Sequence, residues 1–365
     1  MRLQLAAAFS SLLLLPLAQA AIPLAGNKSE LVSSLQSFLG PSGAGANLSL
    51  GGSEPFYVER RVHQQVLSIT NIPDGENTTI GDVENTSIRG PHGNIPLRIL
   101  YPTSGEERRE NGTAGALIYF HGGGYQVGSV DEFERGLRII AEESGVIASF
   151  TSPVIAAEYR LAPEWKFPTQ LEEYLAILAW ARSSEGQQRG IDPKRVAGGG
   201  DSAGGNMSAA LTLWIKTKYK GTDVPNLKAQ LLLYPEARVP FNTSAYTETS
   251  TPENLYLVGN GVFRFAYDYL PSHIPASIPY ISPGSQPFWN LTSLPPAHVF
   301  TAGFDPLRDV GVEYAHKLEQ AGVDVEWTHW PNLTHGVVQF GYWSPECEDA
   351  TKEVGQALKK LVYEK

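Results

Sequence analysis

Three side chains of this sequence have the types and the setting that nucleophilic catalysis needs. Ser202 lies in residues 200–204, whose spacing G-x-S-x-G places a serine on a sharp turn between a strand and a helix. A serine hydroxyl is a weak nucleophile and needs an adjacent base, for which His335 is the candidate. Asp305 would hold the imidazole in one tautomer and stabilise its charged form.

Two further residues compete for the roles of acid and base. Asp309 follows Asp305 by four residues, but it precedes a predicted helix and is expected to cap that helix or to lie on the surface. His329 alternates along a predicted strand and lies before the end of that strand, so it is less free to reach a serine.

A glycine run upstream predicts donors for a developing negative charge. It follows His121, which we expect to brace the loop, and the apolar run 116–120. The tetrahedral intermediate of acyl transfer needs backbone N–H donors, and three glycines permit a close approach that a Cβ atom would block. We expect Gly122, the first of these glycines, mainly to shape the loop. The candidates for the oxyanion hole are Gly122, Gly123, Gly124 and Ala203.

From residue 115 onward, predicted strands and helices alternate, which favours a mostly parallel sheet with helices on both faces. Binding sites in such sheets collect at the carboxyl ends of strands. His121, Ser202 and Asp305 directly follow predicted strands, and His335 follows one within five residues. The predicted strands are 116–120, 154–159, 195–198, 229–234, 298–302 and 325–330, and the predicted helices are 133–143, 171–182, 203–218, 310–320 and 347–363.

The rest of the chain is less regular. Residues 21–87 form a predicted N-terminal extension and 88–365 the catalytic domain, with an aromatic-rich insertion at about 240–297 that hints at an apolar pocket. Within these parts we predict a short helix in 27–39, a strand at 95–102 and a surface loop at 103–114, while 57–71 combines helical spacing with β-branched residues and stays undecided.

Four motifs together resemble the hormone-sensitive-lipase-like, or arylacetamide deacetylase-like, branch of the α/β-hydrolases. The order Ser, Asp, His along the chain is also that of an α/β-hydrolase. The resemblance covers about residues 88–362 and implies an α/β-hydrolase fold, a serine ester hydrolase for short or medium acyl or aryl esters, no cofactor, and a cap that includes the N-terminal extension. Val337 departs from the aromatic residue that the family often has there. The motifs are residues 121–125, 159–164, 200–206 and 305–309.

These observations predict a hydrolase of small-molecule esters that forms an acyl-enzyme. A tailoring deacetylase or lactone hydrolase of a biosynthetic route would need the same residues, because the motifs do not encode the leaving group. A non-catalytic ligand-binding protein on the same fold is a further alternative, since the plant gibberellin receptors resemble this branch.

The first 20 residues are predicted to be a cleaved signal peptide. Arg2 precedes an apolar stretch at 5–17, and residues 18–20 form an A-x-A-like cleavage site. The stretch is shorter than the roughly 20 residues that span a bilayer, so we expect a secreted protein without a stable membrane anchor. Eight N-x-S/T sequons are predicted glycosylation sites, and a ninth, Asn206, is expected to be buried in a helix. The eight are Asn27, Asn47, Asn77, Asn85, Asn111, Asn242, Asn290 and Asn332.

Composition excludes other classes of function. The net charge of −10, with no basic stripe, argues against nucleic acid as a partner. Cys347 is the only cysteine, so no intramolecular disulfide can form. No C-x-x-C or H-E-x-x-H pattern predicts a metal site. The sequence leaves open whether the protein is a monomer or a homodimer.

Overall fold

The chain folds around one eight-stranded sheet. The structure, a computed structural model, describes residues 21–73, 75–145, 152–249, 256–259 and 261–364, so the predicted signal peptide lies outside the described residues. The strand order is β1-β2-β4-β3-β5-β6-β7-β8, antiparallel from β1 to β4 and parallel from there on. The strands are β1 Asp82–Gly90, β2 Gly93–Tyr101, β3 Ala114–Phe120, β4 Val154–Ala157, β5 Ile191–Asp201, β6 Gln230–Leu233, β7 Ala297–Phe304 and β8 Val325–Thr334.

Helices cover both faces of this sheet, which confirms the predicted architecture. The helices are α1 Ser33–Leu39, α2 Phe56–Leu67, α3 Glu106–Glu110, α4 Val130–Ser144, α5 Thr169–Ala181, α6 Ser184–Gln188, α7 Ala203–Lys218, α8 Ser244–Thr249, α9 Gly261–Tyr269, α10 Phe288–Leu291, α11 Arg308–Gln320, α12 Val337–Phe340 and α13 Pro345–Tyr363. Two short 3-10 turns lie at Ile69–Asn71 and Pro283–Ser285. Among the residues described, no helix is long and apolar enough to cross a membrane.

Alternate residues of the central strand β3 explain the two layers. Ile118 and Phe120 pack in one apolar cluster with residues of α5 and α7. Leu117 and Tyr119 point the other way, into a cluster with residues of α4 and α13. Successive side chains of a strand face opposite sides, so an all-apolar strand needs helices on both faces.

Two stretches differ from a simple reading of the sequence and contain helices. Residues 57–71 form α2 and a 3-10 turn. The buried face of α2 carries Glu59, His63 and Leu67, spaced four residues apart, and two of these are polar. The stretch 103–114, predicted as a loop, contains the short helix α3, so that prediction was wrong. Gly105 before this helix adopts a left-handed conformation, with a φ of 77°.

The start of the described chain runs along β8, the edge strand of the sheet. Ser29 N–H donates to Pro331 O at 2.8 Å, and Val32 N–H donates to Asn332 O at 3.2 Å. Edge strands otherwise present unpaired N–H and C=O groups, so this segment (residues 21–32, the strap) covers the edge next to His335. The sheet itself begins at β1, which spans the predicted boundary between residues 87 and 88.

Candidate active site

Ser202 lies on the predicted turn, between the last residue of β5 and the first of α7. Its φ of 54° and ψ of −120° are strained for a residue with a side chain. Its N–H donates to Leu233 O at 2.9 Å, which fixes the turn to β6. A Cβ atom on Gly200 or Gly204 would lie 2.2 or 1.8 Å from Phe120 O, so only glycine lets the turn sit this close to β3.

His335 and Asp305 form a buried pair. Asp305 directly follows β7 and His335 directly follows β8, so neighbouring parallel strands deliver both side chains to the same edge of the sheet. His335 Nδ1 lies 2.8 Å from Asp305 Oδ2, and Leu307 N–H donates to the other carboxylate oxygen at 2.8 Å. An Nδ1–H group that donates to the carboxylate leaves the lone pair on Nε2. That nitrogen is buried and makes no hydrogen bond to any residue in the described part of the chain.

Tyr234 joins the nucleophile turn to this pair. It follows Leu233, the partner of the Ser202 N–H group, and its ring stands edge-on to the His335 ring with centroids 4.8 Å apart. Burial raises the pKa of the carboxyl group of Asp201, the neighbour of Ser202, and His335 is close enough to oppose part of that rise. The structure therefore gathers Ser202, Asp305 and His335 at one edge of the sheet, without a hydrogen bond from Ser202 to His335 Nε2. Such bonds often tighten only once substrate is bound.

The glycine loop after β3 lies over this turn. Gly123 and Gly124 have positive φ angles of 101° and 59°. A Cβ atom on Gly123 would lie 1.9 Å from Val127 O, and one on Gly124 would lie 2.3 Å from the Phe265 ring. The N–H group of Gly122 donates to Asp201 at 2.8 Å. This bond occupies the Gly122 donor, so that glycine shapes the loop, while Gly123, Gly124 and Ala203 remain the candidate donors.

Asp201 is a site residue that sequence reasoning missed. One of its carboxylate oxygens, Oδ1, accepts hydrogen bonds from the Tyr119 hydroxyl at 2.7 Å and from the Gly122 N–H group at 2.8 Å. Burial raises the pKa of this carboxyl to about 6, against the opposing effect of these two donors and of His335. Asp201 thus links β3, the glycine loop and the nucleophile turn. Its only signal in the sequence is an acidic residue beside the serine of a buried turn.

The rival residues are engaged elsewhere. His329 Nδ1 lies 2.9 Å from Thr301 Oγ1, and its Nε2 lies 2.6 Å from Asn27 O in the strap. Asp309 is buried in the first turn of α11, whose N-cap is Leu307, so its predicted role as a cap or surface carboxylate was wrong. It accepts hydrogen bonds from Gly26 N–H in the strap and from Ala245 N–H at the start of the insertion.

His121 has the surroundings of a brace for the loop. Its Nδ1 lies 2.8 Å from Gly122 O, and its ring packs against Tyr159 with centroids 4.4 Å apart. Burial lowers the pKa of His121 to about 4. A neutral, enclosed imidazole of this kind holds backbone in place and carries no charge near neutral pH.

A cap built from two distant segments covers His335. Leu50 pairs with the insertion, since its N–H donates to Tyr256 O at 2.9 Å and its carbonyl accepts from Val258 N–H at 2.9 Å. The Tyr256 ring lies between His335, at a centroid distance of 6.4 Å, and His63 of α2, at 5.5 Å. Tyr256 belongs to the aromatic-rich insertion that suggested an apolar pocket, but no sequence pattern pointed to His63 or to the contact between the two, because these segments are about 200 residues apart.

The predicted glycosylation sites differ in exposure. Asn206 is buried in α7, where its Nδ2 donates to Glu236 O at 2.6 Å and to Ile281 O at 2.8 Å, as expected of a site that cannot carry a glycan. Asn77 and Asn332 are half-buried. The other candidates are exposed: Asn27, Asn47, Asn85, Asn111, Asn242 and Asn290.

Known proteins share this fold and these sequence features. A family model described as alpha/beta hydrolase fold matches residues 117–339. The carboxylic ester hydrolase LipN of Mycobacterium tuberculosis is 34% identical over 288 residues, which cover 76% of this chain and 70% of that protein. The ethyl acetate hydrolase of Pseudomonas putida is 30% identical over 319 residues, which cover 87% of this chain and 93% of that protein. The solved structure of the hyperthermophilic esterase from the archaeon Pyrobaculum calidifontis matches with a TM-score of 0.78 and 29% identity, covering 91% of this chain and 99% of that one.

Proposed function

Because this chain belongs to the α/β-hydrolase fold family and is a carboxylic ester hydrolase, we propose that it works through a triad of Ser202, His335 and Asp305 and an acyl-enzyme. The observation that carries this proposal is the buried pair of His335 and Asp305 at the same sheet edge as the strained Ser202. Within the described chain, His335 Nε2 has no hydrogen-bond partner. An imidazole held in this tautomer is a base that can receive the serine proton.

The reaction proceeds in two halves. His335 Nε2 takes the proton of Ser202 as its oxygen attacks the ester carbonyl, and the backbone N–H groups of Gly123, Gly124 and Ala203 hold the oxyanion. The tetrahedral intermediate collapses, His335 gives the proton to the departing alcohol, and an acyl group remains on Ser202. A water molecule, deprotonated by His335, then attacks the acyl-enzyme. As this second tetrahedral intermediate collapses, His335 returns the proton to the Ser202 oxygen and the acid is released.

A comparison of Ser202→Ala with the unchanged protein tests this mechanism. The substrate is p-nitrophenyl butyrate. Glu348→Gln, at a half-buried residue of α13 that pairs with Arg135, is the control for effects of expression and purification. We expect Ser202→Ala to lose about 10⁴-fold or more in kcat and Glu348→Gln to keep its rate. Serine-independent hydrolysis at the original rate would reject the triad.

Short or medium acyl and aryl esters are the proposed substrates. The name of the Pseudomonas putida relative supports a short acyl group for that protein, and several buried aromatic side chains surround the site here, among them Phe265 and Tyr256. Initial rates on p-nitrophenyl acetate, butyrate, octanoate and palmitate test this range. A maximum at palmitate would contradict it. A deacetylase or lactonase of a biosynthetic route uses the same machinery, and acetylated alcohols and lactones added to the panel distinguish it.

We also propose that the protein is secreted after cleavage behind Ala20 and carries N-linked glycans. The charged start, the apolar stretch and the A-x-A pattern support cleavage, and the exposure of most sequons supports glycosylation. Expression in a eukaryotic host, with N-terminal sequencing and glycosidase digestion of the medium fraction, tests both. Retention in the cells with an intact first residue would contradict the proposal.

A further inference from the structure

A second group of polar side chains lies beside the nucleophile, around Glu236. This residue comes three positions after the end of β6, and its N–H group donates to Ser202 O at 3.1 Å. Its side chain is 2% exposed, and no salt bridge between residues described by the structure includes it. The backbone of Glu236 therefore lies next to Ser202, and its enclosed carboxyl group has no cation among the described residues to balance a charge.

Two tyrosines bring their hydroxyl groups to the same place. Tyr125 directly follows the glycine loop, and Tyr269 ends α9, with parallel rings whose centroids are 3.8 Å apart. A charge on Glu236 raises the pKa of both hydroxyls beyond the effect of burial, so all three groups are close together. Neither hydroxyl makes a hydrogen bond of normal geometry within the described chain. Burial raises the pKa of Glu236, and the Tyr125 hydroxyl is close enough to oppose part of that rise.

Asn206 contacts the backbone of Glu236 and has a buried polar atom of its own without a partner in the described chain. Its Nδ2 donates to the backbone oxygen of Glu236, while its Oδ1 is buried and has no partner in the described part of the protein. Buried polar atoms without partners destabilise a fold and are rare in native structures. Their concentration beside Ser202 and the glycine loop therefore points to a partner that arrives with the substrate.

The charge state of Glu236 indicates the kind of partner. Burial raises the pKa of its carboxyl to about 8, so near neutral pH the group is largely protonated. A protonated carboxyl donates one hydrogen bond and accepts others, and each tyrosine hydroxyl does the same. These three groups suit a neutral partner that both donates and accepts hydrogen bonds. An alcohol does both, whereas an ammonium group only donates and a carboxylate only accepts.

We propose that Glu236, Tyr125 and Tyr269 form a polar subsite that hydrogen-bonds a hydroxyl substituent of the ester substrate. The inference rests on the proposed function, because it assigns this subsite to the same Ser202 reaction. It makes the enzyme selective for hydroxylated esters over plain esters of similar size. A site built to hydrogen-bond a hydroxyl rejects the analogue that lacks it, because its own polar groups are then left unpaired.

The test measures a ratio of kcat/KM values by acid release in a pH-stat at pH 7. Ethyl butyrate is compared with ethyl 3-hydroxybutyrate, which carries the hydroxyl on the acyl side, and with 2-hydroxyethyl butyrate, which carries it on the alcohol side. The variants are Glu236→Met, which removes the polar group, and Glu236→Gln, which keeps the size and a hydrogen-bonding amide. Glu348→Gln is the matched control for loss of a carboxylate elsewhere. If Glu236→Met does not fold, Tyr269→Phe removes a single hydroxyl instead.

We expect the unchanged enzyme to favour one hydroxylated ester over ethyl butyrate. Glu236→Met lowers that preference about tenfold, the size of one buried hydrogen bond, and Glu236→Gln lowers it less. A ratio that is the same in all variants would overturn the subsite and leave a water-filled or purely structural cluster. Ser202-dependent hydrolysis of ethyl butyrate is read in the same experiment, so failure of the subsite and failure of the proposed mechanism are distinguishable.

Discussion

Replacement of Asp201 separates the effect of its charge from the effect of its hydrogen bonds. Two donors, the Tyr119 hydroxyl and the Gly122 N–H group, bond to the same oxygen, Oδ1. Asp201→Asn keeps an oxygen at that position, whereas Asp201→Ala removes it. We therefore expect Asp201→Ala to lose about 100-fold in kcat/KM, as when an oxyanion donor is misplaced, and Asp201→Asn to lose clearly less.

The charge of Asp201 predicts a pH-dependent difference in stability. The ordinary pKa of the carboxyl is 3.8, and burial raises it to about 6 in the folded state. Between these values the folded protein binds more protons than the unfolded chain, so this group lowers the free energy of unfolding as pH rises. At about 1.36 kcal/mol per unit of pKa, the effect between pH 4.5 and pH 7 is roughly 2 kcal/mol. Asp201→Asn does not titrate and escapes this loss.

Urea unfolding of the two proteins at pH 4.5 and pH 7 measures the effect. The free energy of unfolding of Asp201→Asn, minus that of the unchanged protein, is expected to rise by roughly 2 kcal/mol from the lower to the higher pH. Other buried carboxyls titrate in both proteins and cancel in the difference. A difference that stays constant with pH would refute the argument that Asp201 is buried with a raised pKa.

Three further predictions concern the pair, the loop and the strap. Asp305→Asn lowers the kcat for p-nitrophenyl butyrate by about 10⁴, because an amide no longer fixes the His335 tautomer; a loss below tenfold would count against the triad. Gly124→Ala puts a Cβ atom 2.3 Å from the Phe265 ring, at a φ that disfavours alanine. Thermal melting is therefore expected to show a loss of about 1–3 kcal/mol in the free energy of unfolding. An unchanged melting temperature would show that the loop adapts. Deletion of residues 21–32 exposes the edge of β8, and size-exclusion chromatography is expected to show aggregates, whereas a monodisperse peak would assign the strap no protective role.

The sequence predicted the core of the sheet because its signals there are local. A short apolar run is typical of a strand buried on both faces, whatever its distant contacts are. The bounds of α7 agree with the prediction, because the turn at Ser202 fixes the start of the helix. The sequence signal for a strand at β5 is weak, because its glycines contribute little side-chain volume. Its glycines are required by close approaches instead: a Cβ atom on Gly199 would lie 2.7 Å from Leu231 O.

The cap and the supports of the site could not be predicted in this way. The buried face of α2 includes Glu59 and His63, so apolar periodicity did not reveal it. Asp309 was expected to cap the helix or to lie on the surface, because a carboxylate next to a helix start usually does one or the other. Here it is buried by contacts with Gly26 of the strap and Ala245 of the insertion, which precede it in the sequence by 283 and 64 residues. Such contacts depend on the tertiary fold and produce no periodic pattern of residue types in the sequence.

The most direct test of the central claim is the chemical identification of the nucleophile. The purified protein is treated with a fluorophosphonate, digested, and mapped by mass spectrometry, with Ser202→Ala treated in parallel. If Ser202 is the nucleophile, we expect one phosphonyl adduct, on the peptide that contains Ser202, and none on the variant. An adduct on another residue, or no adduct on a protein that still hydrolyses p-nitrophenyl butyrate, would contradict it.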